Sequence, residues 1–187
     1  MSYSYQTEFA QAVERTRSFG LDFDEMRMTN RRFLTTDMQQ EFPLAIRDAI
    51  GELSLEDVVA QCLAIHWRVK EPLEQLFGVP IAYTIGHVFT PPSFMFQQTE
   101  EELRALMRAG VQNGRVNIHA WLTLPSHEII DMSLSTSLAI IQKLDQGRGA
   151  VIAKHPDDFV KGLRYHPMLV GHEYLERIGA MQSYILQ

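Results

Sequence analysis

Thiols are almost absent: Cys62 is the only cysteine in 187 residues. An intramolecular disulfide is therefore impossible, and a four-thiolate zinc site is excluded. Long apolar runs are missing as well. Stretches such as 79–88 fall well short of the ~20 residues needed to cross a bilayer, and the first eighteen residues lack the basic and then apolar pattern of a secretory signal. These absences lead us to expect no membrane partner and a cytoplasmic location, with export by a signal-independent route still compatible. Basic clusters are short, Arg31-Arg32 being typical, and acidic residues outnumber basic ones for a formal charge of -6. A nucleic-acid binder carries a basic stripe, so no nucleic-acid partner is expected. The prolines and glycines follow no period, which excludes collagen-like and low-complexity classes. With neither a repeat nor a linker in view, one domain over 1–187 is expected.

What is present reads as helices first and strands later, the signature of an α+β domain with N-terminal helices packed on an antiparallel sheet. Residues 1–53 read as helical. Phe9, Val13 and Phe19 recur at helical spacing until Gly20, and Asp37 is the expected N-cap of a second helix through Ile46 and Ile50, with Pro43 ending or kinking its first turns. Ser54 and Asp57 resemble a capping box for a third helix, which carries Cys62, bends at Pro72 and stops at Gly78. Residues 79–89 are rich in β-branched and aromatic types and read as a strand broken by Pro91-Pro92. Thr99 starts a short helix that ends at Gly110. Residues 116–124 and 127–134 read as a hairpin centred on Pro125-Ser126. The last part, 135–187, reads as a helix at 138–144, strands at 149–153 and 163–170, and a closing helix at 173–183.

Three residues in the 54–134 segment form a chemical order: Cys62 on a helix, His119 on a strand and Asp131 on the next strand. With the hairpin centred on Pro125-Ser126, His119 and Asp131 lie nearly opposite one another. Opposed residues share a face of the sheet, with Cβ atoms ~5 Å apart. A thiol becomes a strong nucleophile as the thiolate, which an adjacent imidazolium stabilises. The imidazole then protonates the leaving group, and a carboxylate fixes its tautomer. Trp121 is two positions from His119 on the same side and is a candidate wall for a substrate. Gln61, beside Cys62, is a candidate substrate-binding donor to an oxyanion.

The string Gly78-Val79-Pro80-Ile81, then Ile118-His119-Ala120-Trp121, then Ile129-Ile130-Asp131, all downstream of a helical Cys62, resembles the transglutaminase-like branch of the papain-like cysteine superfamily. The likeness covers roughly residues 58 to 134. It departs from the family where Val58-Val59-Ala60-Gln61, in place of glycine, precedes the cysteine. The resemblance implies a papain-like core and catalysis through an acyl-thioester, by amide hydrolysis, deamidation or acyl transfer. It makes Cys62 the nucleophile, His119 the base and Asp131 the orienter, with a peptide or protein amide as substrate and no cofactor. Residues 90–114 then read as a lid or groove wall.

Other readings stand beside this one. A buried cysteine is more often a small hydrophobe than a nucleophile, and a His–Asp contact can be purely structural, so a non-catalytic binding module of the same fold is one alternative. A bacterial effector or toxin with the same catalytic core is another. A metal site built from His66, His87, His119 and Asp131 is a third, although these residues lack the local pair that marks strong metal motifs.

Overall fold

Three of the described helices start at a Ser or Thr whose side chain accepts a backbone N–H group having no partner inside the helix. The computed structural model describes residues 3–51, 62–112, 116–160 and 162–181. Ser4 caps α1 (Tyr5–Ser18) by accepting from Thr7 N–H at 3.4 Å. Thr35 caps α2 (Thr36–Ile50) through Met38 N–H, so Asp37 lies in the first turn and is not the cap expected from the sequence. Pro43 lies inside α2 and Pro72 inside α3 (Cys62–Phe77), and both helices continue through them. Gly78 then takes a positive φ of 66° and closes α3. The expected Ser54–Asp57 capping pair lies outside the described residues.

Extended chain follows. β1 (Ala82–Thr90) is met by the short antiparallel β2 (Ser93–Met95), with Phe89 opposite Phe94. Thr99 and Glu102 form a reciprocal capping box at the start of α4 (Glu100–Ala109), and the acidic first turn complements the helix dipole. β3 (His119–Thr123) and β4 (Ile129–Asp131) form the expected hairpin. α5 (Leu134–Gln142) begins four residues before the helix expected at 138. β5 (Ile152–Lys154) pairs with β4. β6 (Arg164–Val170) pairs with β1 across an irregularity at Ile85/Gly86, and α6 (Glu173–Arg177) follows. Tyr165-His166-Pro167, expected at a strand end, sits inside β6. The architecture is mixed α+β, with β2 and β6 pairing to β1, and β3 and β5 pairing to β4. The pairings β1–β2, β1–β6, β3–β4 and β4–β5 are antiparallel.

The chain divides into two compact units, one of residues 1–24, 84–119 and 160–187, the other of 25–83 and 120–159. In the first, α1 lies on β6. Thr16 Oγ1 accepts from Val170 N–H at 2.8 Å, and the Arg15 guanidinium donates to the Met168 carbonyl at 2.8 Å. Phe9, Phe19, Leu103 and Tyr174 are buried there. Gly171 is a place where no side chain fits: its φ is 90°, and an added Cβ would come within 2.8 Å of the Phe23 Cβ. In the second unit, α2 lies against α3, and Val69, Leu73, Trp121 and Ile130 are buried. The irregular segment around Phe33 is held by Glu128, whose carboxylate accepts from Phe33 N–H at 2.7 Å and Leu34 N–H at 3.2 Å.

Candidate functional site

The β3–β4 hairpin positions two of the three residues singled out. Leu122 pairs with Ile130 and Thr123 with Ile129. Leu124 N–H donates to the Glu128 carbonyl at 2.9 Å and His127 N–H to the Leu124 carbonyl at 2.8 Å. The loop is therefore Pro125-Ser126-His127, with His127 in the left-handed region at φ 67°, the geometry of a three-residue hairpin loop. Its centre is Ser126. This shifts the expected pairing by two positions: Trp121, not His119, falls opposite Asp131. His119 is two positions earlier, so by strand alternation its side chain shares the face of Trp121.

Asp131 is wholly buried. Its Oδ1 accepts from Ser133 N–H at 2.9 Å, from Leu134 N–H at 3.0 Å and from the Ser133 hydroxyl at 3.3 Å. The carboxylate thus closes the N-terminus of α5, where backbone donors have no helical partner. His66, also wholly buried on α3, accepts Met132 N–H on Nε2 at 3.0 Å. That nitrogen is 3.5 Å from Asp131 Oδ1. Among the described residues no group of three His, Cys, Asp or Glu converges as metal ligands. The four-residue metal scheme accordingly has no cluster to stand on among them.

His119 is 1% exposed. One face of its imidazole is covered by the Phe96 ring, with centroids 5.0 Å apart and planes 16° from parallel. Phe96 holds φ at 60°, a conformation a bulky L-residue adopts at a cost on the order of 1 kcal/mol. Asn117 Nδ2 donates to the Gln97 carbonyl at 3.4 Å and ties the segment leading into β3 to the residue after Phe96. Sequence reasoning missed Phe96, because a left-handed phenylalanine leaves no mark in a pattern of types and spacings. The only signal was the length of the 90–114 insertion.

Trp121 is wholly buried and packs as core. Cys62 is the first described residue of α3; its side chain and Gln61 lie outside what the structure describes. Comparisons with protein-family models, with curated proteins and with solved structures find no match to this chain.

Proposed function

We propose that this chain is a cysteine-dependent enzyme with a papain-like, transglutaminase-like core that acts on an amide or related acyl bond of a peptide or protein. Cys62 is the nucleophile, His119 the general base and acid, and Asp131 the group that orients the imidazole. The thiolate sulfur attacks the carbonyl carbon. The imidazolium gives its proton to the leaving nitrogen, and the C–N bond breaks to leave a thioester. Water or an amine then attacks the thioester, the imidazole takes its proton, and the thiol is released. Phe96, from the 90–114 insertion, covers one face of the histidine ring.

One observation carries this reading. An antiparallel hairpin bears a buried imidazole on one strand and a buried carboxylate on the other, downstream of a helical cysteine. A second reading, a non-catalytic module of the same fold, is favoured by the three donors already gathered on Asp131 Oδ1.

The pH dependence of Cys62 alkylation by iodoacetamide separates the two. An activated thiol reacts with a midpoint well below the ordinary value of about 8.5, and His119→Ala moves that midpoint up. A midpoint near the ordinary value, unmoved by His119→Ala, rejects the enzyme and leaves the binding module.

A further inference from the structure

Phe96 combines two features. It holds a left-handed backbone, and it lays its ring flat on a buried imidazole. A strained residue persists where its surroundings over-determine it, and such residues gather where geometry matters for function. Phe96 and His119 belong to the same compact unit, which contains residues 84–119. The ring arrives from the residue just after β2, whose three residues are fixed on β1 by backbone pairing. Asn117, two residues before His119, donates to the carbonyl of the next residue, Gln97. The imidazole and the phenyl ring are thus anchored from both sides.

We propose that Phe96 is a positioning residue for His119: it fixes the plane of the imidazole and presents an aromatic face to the imidazolium. This rests on the reading of His119 as the catalytic base. The face of a benzene ring carries negative potential and attracts a cation stacked on it. A nearly parallel ring also blocks rotation of the imidazole, so its two nitrogens keep their directions. In the thiolate–imidazolium pair both effects favour the charged form. The ring does this without a hydrogen bond, which leaves both ring nitrogens to other partners.

Phe96→Leu keeps an apolar cover of similar bulk and removes only the aromatic face; Phe96→Tyr keeps the face. In the full chain, the iodoacetamide profile of Cys62 in Phe96→Leu moves up by at least about half a pH unit, roughly a threefold loss of thiolate at a fixed pH. Phe96→Tyr stays at the wild-type midpoint. Independently of reactivity, the carbon-bound ring protons of His119 in wild type resonate upfield from the phenyl ring current, and that displacement is lost in Phe96→Leu and kept in Phe96→Tyr. A profile that moves with His119→Ala but not with Phe96→Leu overturns the inference and spares the enzyme reading. A profile indifferent to both overturns the two together. Absence of the upfield displacement in wild type overturns the stacking itself, whatever the variants do.

Discussion

Asp131 is asked to do two things that a pair of substitutions can separate. Its Oδ1 closes the first turn of α5 through Ser133 and Leu134, and as the proposed orienter its charge stabilises an imidazolium. Asp131→Asn keeps a carbonyl oxygen for the cap and deletes the charge. Asp131→Ala deletes both and strands two buried N–H groups, each costing about 1–3 kcal/mol when left unpaired. The expected outcome is a fall in stability of at least about 2 kcal/mol for Asp131→Ala in urea unfolding, with a much smaller fall for Asp131→Asn. If Asp131 also orients His119, Asp131→Asn loses thiol reactivity at low pH while staying folded. An Asn variant as reactive as wild type confines Asp131 to the cap. The acid was visible in the sequence as a charged residue ending an apolar strand. Its capping role was not, because Ser133, Ser135, Thr136 and Ser137 are weak helix formers that hide the first turn of α5.

Single elements were legible where caps and glycines mark them. Gly20, Gly51, Gly78 and Gly110 lie at or just past the ends of their helices, each with positive φ, and Thr99 with Glu102 announces α4. Register was harder to read. A two-residue turn at Pro125-Ser126 and a three-residue loop ending in left-handed His127 differ by one residue, and His127 carries no glycine to betray its conformation. Nor did the pattern disclose Glu128, an acid that alternation places on a buried strand face. It is 2% exposed and accepts from Phe33 N–H, Leu34 N–H and the Ser126 hydroxyl. One carboxylate therefore shapes the hairpin turn and clamps the segment that carries Arg31 and Arg32. Glu128→Ala should cost about 3 kcal/mol, since it strands the buried Phe33 N–H and removes charge-assisted bonds. Trypsin should then cut after Arg31 and Arg32, both exposed, much faster than in wild type under native conditions. Equal cleavage rates in variant and wild type would show that the segment is held by something else.

The response of the whole molecule to acid is dominated by histidines that burial keeps neutral. In the first unit, His87 on β1 faces His166 on β6 in register, their rings stacked at 4.9 Å. His166 Nδ1 meets Glu8 Oε2 at 2.8 Å, whereas His87 Nδ1 is buried with no hydrogen-bond partner among the described residues. Burial, and then the neighbouring His166, push His87 down from 6.5 to about 4. In the second unit burial also lowers His127 and His155, with His155 acting on the former and Arg32 on the latter. A histidine whose folded value lies below its unfolded one takes up its proton more readily when unfolded. Its stabilisation is full above about pH 6.5 and declines as pH falls, for His87 down to about 4. The carboxylates act lower. Glu102, held below the usual carboxylate range by Thr99, and Glu173, held there by Asp22 N–H, release stability only below about pH 4.5. Stability lost between pH 6.5 and 5 is therefore histidine-borne. Because the His87 ring is partly exposed, its share is on the order of 1 kcal/mol, well under the full shift. Urea midpoints measured at pH 7, 5.5 and 4.5 should fall steadily in wild type. His87→Phe keeps a ring in the stack and removes the titrating nitrogen, so it should flatten that fall without abolishing it, since His127 and His155 still titrate. A midpoint level from pH 7 to 5 in wild type, or a slope unchanged in His87→Phe, would remove His87 from the acid response.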